Sequence, residues 1–128
     1  MPKVVPDLSA IGWPAPSNPV SRVVEGGGLV FVSGQAGIQP GRQAPVPGGI
    51  GAETRQALEN IGTLLGAVGL GFADVVKSTV YLSDFDDFAF MNDVYRDHFG
   101  QEPPVRFTTG VTRLLNGARV EIEVIAAR

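Results

Sequence analysis

The chain has 128 residues, 10 Lys+Arg against 13 Asp+Glu, a formal net charge of −3 and no cysteine. That length suits one domain with a core large enough to need neither disulfides nor a structural metal. The missing cysteines exclude disulfide frameworks, thiolate nucleophiles and Cys-based metal sites. An acidic balance leaves no basic face to displace counterions from a phosphate backbone, so nucleic acid is not an expected partner. The opening MPKVVPDLSAIGWPAP has no apolar signal core, and no later apolar run approaches the ~20 residues of a membrane span. A soluble, cytoplasmic protein with no membrane partner is expected.

Residues 1–19, rich in Pro and Ser around Trp13, read as an irregular lead-in to a single domain spanning residues 1–128. Two strand-like runs follow, Val20–Val24 and Leu29–Ser33. They are joined by Glu25-Gly26-Gly27-Gly28, whose glycines suit a tight hairpin turn. Residues 39–49 carry too much Pro and Gly for helix or central strand and read as a surface loop. From Ala52 the apolar period becomes helical, with Leu58, Ile61, Leu65 and Val68 on one side and Glu53 placed to complement the dipole; Gly69 or Gly71 ends it. Residues 75–84 alternate as a strand, Val76, Ser78, Val80 and Leu82 against Lys77, Thr79 and Tyr81. Asp84 or Asp86 then caps a helix from about Asp87 to Phe99, with Phe88, Met91, Val94 (or Tyr95) and His98 along one side. Two last strands, Val105–Leu114 and Arg119–Ala127, flank Asn116-Gly117, a strong hairpin signal. The order ββ-α-β-α-ββ predicts an α+β fold, a sheet backed by two helices.

Counting removes most catalytic designs. The lone histidine, His98, sits late in a helix where a structural or exposed imidazole is the plainer reading, and it rules out a two-histidine metal site. Gly26-Gly27-Gly28 has no following helix to cradle a phosphate. Asp84, Asp86 and Asp87 are explained by helix capping rather than by a metal. Arg106 stands out: a single guanidinium in PPVRFTTG with no adjacent anion. With Asn116-Gly117 as a two-residue turn, Thr112 would face Glu121 and Gly110 would face Glu123, placing both glutamates on the Arg106 face. Arg106 and Glu121 would then lie roughly 20 Å apart along the strands, so a site uniting them needs a second copy of the chain. The plainer alternative pairs Arg106 with a local carboxylate and leaves Glu121 and Glu123 facing solvent.

The tail PPVRFTTGVTRLLNGARVEIE resembles the C-terminal signature of the Rid family, the YjgF-like reactive intermediate deaminases, with Val120-Glu121-Ile122 as its apolar-Glu-Ile triplet. NPVSR (18–22), FVSGQ (31–35), ETRQALENI (53–61) and KSTVYLSDFDDFAFMNDVY (77–95) resemble the family in the same order. The resemblance implies a chorismate-mutase-like subunit in a homotrimer with clefts at the subunit interfaces. It also implies hydrolysis of enamines and 2-imino acids to 2-oxo acids and ammonia, without a cofactor. By position, Arg106 would clamp the substrate carboxylate with help from the Thr108 backbone N–H. Glu121 would place the attacking water and relay protons, and Ser33, Gly34, Phe88 and Asn92 would line the pocket. Val20 and Arg22 stand where the family has Tyr and Gln, and Phe107-Thr108 where it often has Ser-Cys, which points to a divergent subfamily. A non-catalytic trimeric module binding carboxylate metabolites or protein partners is the alternative.

Overall fold

A computed structural model describes residues 2–128. Five strands form one sheet: β1 (Val23–Gly26), β2 (Leu29–Ala36), β3 (Val75–Leu82), β4 (Val105–Gly110) and β5 (Val120–Ala127). Two helices, α1 (Ile50–Ala67) and α2 (Phe88–Phe99), cover one face. The sheet order is β1-β2-β5-β3-β4, with β3 and β4 parallel and the other neighbours antiparallel. A parallel pair needs a crossover, and α2 supplies it between β3 and β4. Likewise α1 carries the chain from β2 to β3, leaving a gap between them that β5 fills last. Among the described residues no helix is long and apolar enough to cross a membrane.

The core lies between helices and sheet. From α1 it takes Leu58, Ile61, Leu64 and Leu65, from α2 Met91, Tyr95 and Phe99, and from the strands Val30, Val32, Val80, Leu82, Val120, Ile122 and Val124. Alternation along β5 puts Val120, Ile122, Val124 and Ala126 inward and Glu121 and Glu123 outward, as period-2 geometry requires. Gly27 and Gly28 take positive φ (61° and 80°), the conformation a two-residue hairpin turn demands, and pair Gly26 with Leu29. Beyond α1, Gly69 (φ 80°) turns the chain out of the helix.

Four local expectations change. The β4–β5 hairpin does not form. Asn116 and Gly117 do adopt the left-handed turn conformation (φ 55° and 74°), but β4 ends at Gly110 and β5 lies on the far side of β3. The first strand begins at Val23 rather than Val20. Val76 is not on the core face: a register shift between Val75 and Lys77 buries Val75 and turns Val76 outward at 44% exposure. Glu53 does more than complement a dipole, since it is buried and accepts the Arg119 backbone N–H at 2.8 Å. The acidic cluster is structural: Asp84 accepts the Asp86 N–H, and buried Asp87 receives two bonds of 3.0 Å from the Arg119 guanidinium. His98 Nδ1 lies 3.0 Å from the Val94 carbonyl oxygen, one turn back on its own helix.

Candidate functional site

Register decides which side chains meet. Arg106 pairs with Ser78, Thr108 with Val80 and Gly110 with Leu82, and those three β3 residues face the helices. Arg106 and Thr108 therefore belong to the helix-covered face. Glu121 pairs with Tyr81 and Glu123 with Thr79, on the opposite, open face. Within one chain Arg106 and Glu121 are thus separated by the sheet itself, two strands across (roughly 10 Å) and three residues along (roughly 10 Å). The expected shared face is overturned, because it rested on a hairpin that the insertion of β5 replaces.

On the helix side, α2 presents Phe88, Asn92 and Tyr95 at spacings of four and three, one stripe beneath β4. The Arg106 guanidinium carbon lies 4.7 Å from the Tyr95 ring centroid and 5.6 Å from that of Phe88. The two electron-rich faces hold the cation without neutralising it. Tyr95 is anchored by a hydroxyl bond to buried Ser78, and burial pushes its phenol pKa up, against the lowering effects of that bond and of the Arg106 charge. No carboxylate among the described residues lies within ion-pair distance of Arg106. Asn92, Tyr95, Pro103, Pro104 and Arg106 line a cleft of about 510 Å³. Its polar lining comprises Arg106 and Arg96 with the amides of Asn92 and Gln101, and includes no carboxylate.

Across the sheet, Glu121 is half-buried at the edge of a second cleft of about 540 Å³ shared with Trp13, Arg22, Gly34, Arg42 and Asn116. Gly34 sits where β2 breaks register between Val32 and Gln35, and a Cβ there would come within 2.6 Å of Glu121 Oε2. The bulge and the missing side chain together let the carboxylate lie against the backbone. Burial, then repulsion from Glu123, raises the Glu121 carboxyl above its ordinary range. Glu123 is otherwise engaged, accepting the Tyr81 hydroxyl at 3.0 Å, a bond that in turn raises the tyrosine's pKa. Half-desolvated and without a hydrogen-bond partner, this carboxyl holds its proton to higher pH than an exposed glutamate does. Ser33 lies just outside this cleft: its N–H donates to the Arg22 carbonyl (2.9 Å) and it lines the neighbouring groove with Lys77, Thr79 and Glu123.

The predicted residues therefore form two groups, Arg106, Phe88, Asn92 and Thr108 on one side and Glu121, Gly34 and Ser33 on the other. Sequence reasoning missed Tyr95 as a platform for Arg106, although its place three after Asn92 on α2 carried the signal. It also missed Trp13, which stands in a lead-in with no periodicity to read.

The profile described as Endoribonuclease L-PSP matches residues 11–128. A Bos taurus protein named 2-iminobutanoate/2-iminopropanoate deaminase is 44% identical over 121 residues, 94% of this chain and 88% of its own. Among solved structures, a Yersinia pestis protein of the conserved Rid family superposes with a TM-score of 0.88 at 34% identity, covering 99% of this chain and 100% of its own. E. coli TdcF, solved with bound serine, gives 0.81 at 34%, covering 91% and 93%. The α+β architecture, two helices on a five-stranded mixed sheet, is the one these YjgF-like structures share. On a match of this extent, the chain belongs to the Endoribonuclease L-PSP family, also called YjgF/RidA.

Proposed function

We propose that the protein is a cofactor-free deaminase of 2-imino acids, acting at sites where the Arg106 cleft of one chain meets the Glu121 cleft of another in a homotrimer. The observation that carries this reading is the pair of complementary half-sites on opposite faces of one sheet. One is a cation without an anion; the other is a carboxyl of raised pKa without a partner. Each lacks what the other supplies. The open face also needs a cover: its cross-strand row Val24, Phe31, Ile125, Lys77, Val105 is mostly apolar, and Val105 and Phe107 are 69% and 61% exposed. A second sheet of the same chain would bury it. Relatives named 2-iminobutanoate/2-iminopropanoate deaminase, 39–44% identical, support the reaction class, and serine bound by E. coli TdcF is a small carboxylate of the right kind.

In this reaction Arg106 holds the substrate carboxylate through two parallel N–H bonds, and the Thr108 backbone N–H adds a third. Phe88 and Tyr95 keep the guanidinium plane fixed, and Asn92 offers its amide to the ligand. The imine carbon is already electrophilic, so placement and one proton shuttle suffice. Glu121 takes a proton from water as the oxygen bonds to that carbon and the C=N π pair moves to nitrogen, which receives that proton. The carboxylate then takes the proton of the resulting hydroxyl and passes it to nitrogen as the C=O forms and the C–N bond breaks. An imine and one water give a 2-oxo acid and ammonia; no electrons change hands.

The test times the decay of a panel of 2-imino acids, made in place by an amino-acid oxidase, with and without the protein. Acceleration of at least one is expected; none would defeat the reading. A non-catalytic carboxylate-binding module is the second reading, favoured by the departures from the family pattern at Val20, Phe107 and Thr108. Phe107 points to the open face, away from the Arg106 cleft, so the exchange there does not disable the anion site.

A further inference from the structure

The Glu121 cleft carries a second cation that the reaction above leaves unused. Arg22 is half-buried just before β1, its guanidinium carbon 5.1 Å from the Trp13 ring centroid and its Nη2 donating to the Pro14 carbonyl oxygen at 2.6 Å. Stacking and that single bond fix the planar group while leaving most of its five donors uncommitted. No carboxylate among the described residues pairs with it. Arg42 lines the same cleft, and Glu121 is the one acid among the lining residues. A cleft with two cations, one of them pre-oriented, is built for more negative charge than a catalytic carboxylate supplies.

We propose that Arg22 binds a second, distal carboxylate, so that the preferred substrates are 2-imino acids of dicarboxylates. The inference rests on the deaminase reading and deepens it. With the α-carboxylate on Arg106 at one wall and the imine carbon beside Glu121, a substrate side chain extends into the cleft that Arg22 and Trp13 bound. A methyl or ethyl side chain leaves the guanidinium with water; a terminal carboxylate matches its fork.

The experiment compares kcat/KM for 2-iminoglutarate and 2-iminobutanoate, in the wild type, Arg22→Gln and Arg22→Lys. The wild type should favour the dicarboxylate. Arg22→Gln should lower the dicarboxylate-to-monocarboxylate ratio by roughly tenfold or more, mainly through KM, as loss of a charge-assisted contact implies. Arg22→Lys should restore part of it. Calorimetry on the wild type gives an independent reading, with 2-oxoglutarate expected to bind more tightly than 2-oxobutanoate. An unchanged ratio in Arg22→Gln, or equal affinities, would make Arg22 a prop for Trp13 and overturn the inference while the deaminase reading stood. Failure to accelerate these two imines would overturn the inference, and failure across the whole panel of 2-imino acids would remove the deaminase reading as well.

Discussion

Arg106 is held by two aromatic faces and by no acid, which separates its contribution to the fold from its contribution to binding. Arg106→Lys keeps the charge over Tyr95 but loses the two-pronged fork. The variant should melt close to the wild type yet lose roughly 2–4 kcal/mol of transition-state binding, about 30- to 1,000-fold in kcat/KM. A variant that unfolded while its folded fraction retained full activity would make Arg106 a structural residue. Glu121 gives a pH signature. Its folded pKa lies above the unfolded value because of burial and Glu123. Its protonation thus stabilises the fold: the contribution is complete below the unfolded carboxyl pKa and is lost as pH rises through the folded one. Catalysis runs the other way, since the base must be ionised. Turnover should fall as pH drops through the raised Glu121 pKa, an acid limb above the ordinary carboxylate range, matched by NMR titration of that carboxyl. Glu121→Gln should keep affinity for a 2-oxo acid and lose turnover, because an amide can hold a water but cannot take its proton.

Two glycines at the end of β2 differ in what they permit. A Cβ on Gly34 would meet the far end of the flexible Glu121 side chain (2.6 Å), whereas on Gly37 it would meet the Glu53 backbone, Cα and carbonyl oxygen both at 2.5 Å. Gly34→Ala should therefore fold and lose turnover by displacing the carboxylate. Gly37→Ala should cost stability, about 1–3 kcal/mol or more, because buried backbone in α1 has no room to retreat. Thermal melts and kcat on the two variants check the contrast. Element identity was legible wherever a local signal governs it. The apolar stripe of Leu58, Ile61 and Leu65 marked α1, Gly27-Gly28 made the turn they implied, and β5 alternates as written. Pairing was not legible, because Asn116-Gly117 specifies a turn and not a partner. What places β5 between β2 and β3 is hydrogen bonding on both its edges and the burial of Val120, Ile122 and Val124 against both helices' core. That is a non-local preference. The residue pattern singled out Arg106 and the family resemblance implied roles for it and for Glu121; the face each occupies came from the pairing alone.

At the scale of the molecule, the exposed apolar row across the open face and the two half-sites ask for the same remedy, a further copy of the chain. Light scattering should give about 40 kDa, three times the 13.4 kDa chain. A stable monomer would leave Arg106 and Glu121 on opposite sides of one sheet with nothing to bring them together. The most direct test mixes two dead proteins. Arg106→Lys and Glu121→Gln, each with little activity alone, are co-refolded in equal amounts so that subunits assort at random. If each site takes Arg106 from one chain and Glu121 from the next around a three-fold ring, about one site in four receives both wild-type residues. The mixture should then regain about a quarter of wild-type deaminase activity. No recovery beyond the sum of the two variants, in trimers shown by mass spectrometry to contain both chains, would contradict the two-chain site.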